Sequence, residues 1–160
     1  MMFKLTDIVA EQAVVAPLKG QSRDEVVAEL VDALITAGSA PASLRDELIA
    51  KVLEREKRGS TGFGKGVAVP HVKHKAVSTM AAAVGLSSRG VDFSSLDRQP
   101  VYSIVLLLSP EDNPDAHLRA MEVIFHHLAK DTFRRFLRQA GSPAEVRALF
   151  EEADGFHQPS

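Results

Sequence analysis

No cysteine occurs among the 160 residues, which excludes disulfides, thiolate metal sites and thiol catalysis. Long hydrophobic runs are missing as well. The most apolar stretch, Ile104 to Leu108 with Val101 and Tyr102 just before it, falls far short of the ~20 residues that a membrane-spanning helix needs, so membrane insertion is not expected. The start, Met1 to Asp7, lacks the charged-then-apolar organisation of a secretory signal. These absences predict a cytoplasmic protein. Nor is there an excess of one charge: the formal net charge is -2 and the cations are spread along the chain. Without a basic stripe to neutralise a row of phosphates, nucleic acid is not expected as a direct partner.

What is present suits one folded domain. The composition is 45% hydrophobic and 25% charged, near the average for soluble globular proteins, and a chain of this length can remove roughly 70% of its unfolded surface from water. No repeat, linker or low-complexity tract divides it. Residues 1–154 read as one domain and 155–160 as a frayed C-terminal tail, with His157 irrelevant to function.

The hydrophobic pattern orders the elements. Residues 3–9 form a short irregular or helical lead-in, and Ala13 to Ala16 a brief strand ended by Pro17. Ser22 and Glu25 make a capping box, followed by Val26, Val27, Leu30, Val31 and Leu34 at helical spacing and by Gly38, so a helix is predicted over 23–37. Ser43 and Asp46 make a second box, opening a helix that ends at Gly59 and turns Leu44, Leu48, Ile49, Val52 and Leu53 inward. Strands follow at Val67 to Val69, Thr79 to Leu86 and Val101 to Leu108, with 72–78 polar and 90–99 a loop. The last strand is apolar almost throughout, which means burial on both faces and helices above and below it. Asn113 and Pro114 then cap and open a helix with the stripe Leu118, Met121, Phe125 and Leu128, in which His117 leans to the buried side. Phe133, Phe136 and Leu137 suggest a short helix, and Ser142 to Glu145 opens a last one with Val146, Leu149 and Phe150 as its apolar face. The order is β-α-α-β-β-β-α-α-α.

The most specialised stretch is Arg55 to His71, R-E-K-R-G-S-T-G-F-G-K-G-V-A-V-P-H. Its glycines allow positive φ and close approach to a ligand, and amides turned to one side beside basic residues suggest phosphate. The strand at Val67 to Val69 delivers His71 to that loop, braced by Pro70. Gly59 to Lys65 matches the nucleotide-binding P-loop for seven positions, but Gly66 stands where the hydroxyl for Mg²⁺ is required. The context is reversed too, helix before and strand after. A metal site built on His71, His74, His126 and His127 is a further alternative, weakened by the missing thiolates and by adjacent histidines pointing apart. From position alone Arg55 reads as an ordinary cation at a helix C-terminus, favoured there by ~0.3 to 1 kcal/mol, and His117 as an ordinary partly exposed histidine.

The R-E, the G-S-T-G turn and the small-apolar-Pro-His run resemble the signature of phosphotransferase-system EIIA domains of the fructose/mannitol type (type 2), including the nitrogen-regulatory branch. Phe63, in place of a usual aliphatic residue, and Val72, in place of something smaller, depart from that pattern. The resemblance extends along the whole chain and implies an α/β fold, a three-layer α/β/α sandwich with a mixed sheet. It implies His71 as the phosphoryl acceptor, Arg55 as a residue lining the phosphoryl site and His117, in P-E-x-x-x-x-x-H-L-x-x-[LM], as a second histidine facing the first. Ser60, Thr61, Gly62 and Gly64 are the expected phosphate-cradling positions. The implied donor is phosphorylated HPr or a nitrogen-type paralogue. The implied recipient is a separate EIIB or a regulated target protein, since EIIB domains of this type carry phosphate on a cysteine and this chain has none. No cofactor is implied. The short chain without fused EIIB and EIIC segments favours the regulatory branch over a stand-alone sugar-transport EIIA, and a non-catalytic protein-binding module is the alternative of another class.

Overall fold

The computed structural model describes residues 4–157, so Phe3 of the expected lead-in and residues 158–160 of the expected tail lie outside it. The architecture is the expected α/β one, a mixed sheet between two helical layers. Its elements are α1 (Leu5–Ile8), β1 (Val14–Val15), α2 (Arg23–Thr36), α3 (Arg45–Arg58), β2 (Gly62–Gly64), β3 (Val67–Ala68), β4 (His71–His74), β5 (Ala81–Val91), β6 (Val101–Pro110), α4 (Pro114–Leu128), α5 (Asp131–Gln139) and α6 (Pro143–His157).

Strand β6 is the axis of the sheet. It pairs antiparallel with β5 along one edge, and along the other it pairs in parallel first with β3, Val67 opposite Ser103, and then with β4, His71 opposite Leu107. Thus β3 and β4 are two pieces of one path, interrupted at Val69 and Pro70. The proline carbonyl keeps the ladder going by accepting from the amide of Leu107 at 3.0 Å. Strand β1 adds in parallel to β5, and β2 adds antiparallel to β3.

Alternation along the strands sorts the core into two halves. Val105 and Leu107 face one half with residues of α1, α4, α5 and α6, while Ile104, Leu106 and Leu108 face the other with α2 and α3. On the β3–β4 path Val67 and Val69 point to the first half and Ala68 and Val72 to the second. His71, odd in that count, therefore emerges on the side that carries α4.

Local chemistry agrees with the sequence in several places and departs from it in others. Ser22 caps α2 by accepting from the amide of Glu25, and Asn113 caps α4 by accepting from Ala116 with Pro114 next in line. The box expected at Ser43 does not form: Ala42 to Leu44 make a 3-10 turn, and α3 begins at Arg45 without a side-chain cap. Helix α4 turns Ala116, His117, Ala120, Val123, Ile124, His127 and Leu128 inward, leaving Leu118 at 59% and Phe125 at 36% exposure on the surface. Phe136 is outside as well. The expected frayed end is helical as far as His157. Its anchor is Asp154, buried in α6, which accepts from the amide of Leu5 at 2.7 Å and from the Thr6 hydroxyl at 2.7 Å. That carboxylate supplies the partners that the first amides of α1 otherwise lack.

Candidate active site

The first residue of β4 and the first turn of α4 bring two histidines together. The rings of His71 and His117 have centroids 5.4 Å apart and planes inclined at 57°. His71 is partly exposed, whereas His117 is buried. Each ring is fixed by a bond at Nδ1. That of His71 lies 3.1 Å from the carbonyl oxygen of Val69. A carbonyl only accepts, so Nδ1 carries the proton and the lone pair resides on Nε2. Nδ1 of His117 lies 2.7 Å from the hydroxyl of Ser109, which is fully buried on β6.

Both imidazoles are held neutral near pH 7. His71 has its pKa lowered below the usual histidine value, first by burial, against the opposing effect of the Val69 carbonyl, and then by the charge of Arg55. The carboxylate of Glu56 pulls the other way and Lys73 adds to the lowering. The pKa of His117 is lowered to about 4, by burial above all and next by His71 and Lys73.

Arg55 stands in the last turn of α3 and donates from Nη1 to the carbonyl of Gly59 at 2.7 Å. One nitrogen of its fork thus closes the helix end. The charge remains near enough to act on His71, and the rest of the fork has donors to offer an anion.

The glycine loop is occupied with holding itself together. Glu56, only 3% exposed, accepts from both the amide and the hydroxyl of Thr61. The Ser60 hydroxyl donates to the carbonyl of Phe93 and accepts from the amide of Gly62 at 2.9 Å. Gly64 has φ of 106°, and a Cβ there would meet the carboxylate of Asp97 at 3.3 Å. The hydroxyls of Ser60 and Thr61 and the amides of Thr61 and Gly62 therefore have internal partners, and Gly64 lies against an acid. The structure brings His71, His117 and the charge of Arg55 into one site, while these four loop residues are bonded into the wall that supports it.

Glu56, the acid of the R-E pair, belongs to the site as well, and so do Lys73 and Ser109, which no motif marks. Lys73 shares the more exposed side of β4 with His71, two residues along, and its charge reaches both histidines. Period-two alternation from His71 finds it once 72–78 is read as a strand. His74, on the same side of β4 as Val72, turns inward to Glu47 on α3 and accepts at Nδ1 from the amide of Ala76 at 3.0 Å. It is tied to α3 and not to the histidine pair.

Residues 7–153 match the family described as phosphoenolpyruvate-dependent sugar phosphotransferase system, EIIA 2. The chain belongs to that family. Its function at that level is that of an EIIA-type phosphoryl carrier, a phosphotransferase component. Over 153 residues this EIIA 2 chain is 30% identical to the PTS system fructose-specific EIIABC component of Bacillus subtilis, covering 94% of the chain but only 24% of that protein's length. It is 34% identical over 136 residues to a nitrogen regulatory protein of Bradyrhizobium diazoefficiens, covering 84% of one and 86% of the other. The crystal structure of nitrogen regulatory protein IIA-Ntr from Neisseria meningitidis superimposes with a TM-score of 0.81 at 28% identity, covering 90% of this chain and 97% of that one. No helix among the described residues is long and apolar enough to cross a membrane.

Proposed function

We propose that His71 accepts a phosphoryl group on Nε2 from the phosphohistidine of HPr or of a nitrogen-type paralogue, and that the chain acts in the nitrogen-regulatory branch. The observation that carries the acceptor assignment is the bond from His71 Nδ1 to the Val69 carbonyl at 3.1 Å, which leaves Nε2 unprotonated and nucleophilic. In the transfer, the Nε2 lone pair forms a new P–N bond while the donor's P–N bond breaks and its electron pair returns to the donor imidazole. The proton on Nδ1 stays where it is. Because one nitrogen replaces another, positioning and charge stabilisation carry the rate enhancement.

Three groups serve the transferring phosphoryl oxygens. Arg55 supplies the free edge of its guanidinium, and Lys73 contributes a second positive charge. His117, neutral because its pKa is about 4, donates from Nε2 when the Ser109 hydroxyl donates to its Nδ1. Ser60, Thr61, Gly62 and Gly64 act through the loop's rigidity. The regulatory branch is favoured by the match to nitrogen regulatory proteins over most of both chains.

A second reading, a sugar-transport EIIA that hands phosphate to a separate EIIB, is favoured by the match to the fructose-specific protein over 94% of the chain. Radiolabelled phosphoenolpyruvate with enzyme I and either HPr or the nitrogen-type carrier tests the acceptor and the donor together. A fructose-type EIIB added afterwards separates the branches. Rapid chase of label into EIIB establishes the transport reading, and label retained on the chain supports the regulatory one.

A further inference from the structure

Away from the histidine pair, an open cleft of about 520 Å³ is lined by Lys65, Tyr102, Ser103, Arg134, Arg135 and Arg138. It lies at the Val67–Ser103 end of the β3–β6 pairing, four residues along β6 from Leu107, the partner of His71. At about 3.3 Å per residue that separation is roughly 13 Å. None of its lining residues belongs to the site described above.

The geometry points to a second anion site: this cleft binds a small molecule carrying two or more phosphoryl groups. The one carboxylate in the lining, Asp131, is already paired with Arg134, which also donates to the carbonyl of Leu128 at 2.7 Å. Lys65, Arg135 and Arg138 form no ion pair among the described residues. The guanidinium of Arg138 lies 3.5 Å from the centre of the Tyr102 ring, which fixes its plane while leaving its N–H groups free to pair with an anion. Three cations gathered from two elements, none of them in an ion pair among the described residues, exceed what one phosphate neutralises, and the volume falls in the range of small-molecule sites.

A cation in the last turn of a helix is favoured by the macrodipole in any protein, and that alone accounts for Arg138 at the end of α5. It does not account for Lys65. Lys65 and Gly66 are the two turn residues between β2 and β3, with φ of 60° and 79°. That left-handed conformation is sterically unfavourable for an L-residue, and Asn or Asp is the usual occupant of the position. The amide of Lys65 is held by Asp97 at 3.0 Å, so the turn is fixed with a long cation at the cleft's rim.

Titration of the full chain by calorimetry at low salt with pyrophosphate, ADP and citrate tests the site. Saturable binding of pyrophosphate or ADP is expected, with citrate at least about tenfold weaker, and the double variant Arg135→Gln/Arg138→Gln should weaken the phosphates by about tenfold or more. Lys65→Gln, which leaves the Arg138–Tyr102 stack intact, should weaken them as well. His71→Ala should leave the affinity unchanged. Absence of saturable binding of both phosphates, equal binding of citrate, or loss of binding in His71→Ala but not in the cleft variants would overturn the proposal.

Discussion

Ser109 Oγ lies 2.7 Å from Nδ1 of His117, and both side chains are buried. A hydroxyl from the end of β6 is thus bonded to a histidine on α4. If the hydroxyl donates, Nε2 of His117 must carry the ring's proton and faces the neighbouring imidazole as a donor.

Ser109→Ala should slow phosphoryl transfer by roughly two- to tenfold, the value of a hydrogen bond worth ~0.5 to 1.5 kcal/mol. It should also destabilise the fold by ~1 to 3 kcal/mol, because Nδ1 would be buried without a partner. Single-turnover labelling and urea unfolding check the two effects separately.

His117 also makes stability depend on pH. Its pKa is about 4 in the folded chain against the ordinary 6.5, so the unfolded state binds more protons between these values and stability falls as pH falls through that window. The contribution is fully present above pH 6.5. Between about pH 7.5 and 4.5 the wild type should lose ~2 to 3 kcal/mol more than His117→Gln, as measured by urea unfolding at each pH. Equal losses would show that burial of His117 does not disfavour its charge.

Arg55→Gln removes a cation that lowers the pKa of His71. The His71 titration followed by NMR should move upward in this variant, and transfer should slow roughly ten- to a hundredfold for loss of a charged hydrogen bond worth ~1.5 to 3 kcal/mol. Arg55→Lys should preserve most of the pKa and recover only part of the rate. In the wild type, the rate should be flat above neutrality and fall with a midpoint below 6.5 as protonation removes the Nε2 lone pair.

Thr61→Val tests the loop. Its hydroxyl and amide are both committed to the buried carboxylate of Glu56, so stability should fall by ~1 to 3 kcal/mol or more. Transfer per folded molecule should stay within about a factor of two, a change of under ~0.5 kcal/mol in barrier. A large loss of rate with unchanged stability would restore Thr61 to direct contact with phosphate.

The fold is legible in the sequence where a single physical signal dominates. The apolar run at Ile104 to Leu108 announces a strand buried on both faces, and its side chains divide accordingly: Ile104 packs with α2 and α3, Val105 with α4. Capping chemistry locates α2, α4 and α6. Strand β4 is not legible, because His71, Lys73 and His74 look polar, and only pairing with β6 makes a strand of them. The Ser43 box fails although its spacing is right, since Ala42 to Leu44 wind into a 3-10 turn first. Periodicity misplaces Phe125, because Leu118, Met121 and Phe125 fit a helical stripe as well as the true inward row does. Phe125 instead meets Phe63 edge-on at 4.9 Å, a contact between residues 62 positions apart that periodicity does not register. At the site, His71, His117 and the Arg55–Glu56 pair can be named from their motifs, but Lys73 and Ser109 come to the site only through tertiary neighbours.

The central claim is that phosphorus is carried on Nε2 of His71, and ³¹P–¹⁵N correlation NMR of the chain phosphorylated through the phosphoenolpyruvate cascade reads it directly. Coupling to Nε2 of one histidine, absent in His71→Ala, is the predicted result. Coupling to Nδ1, or a phosphohistidine signal that persists in His71→Ala, would contradict it.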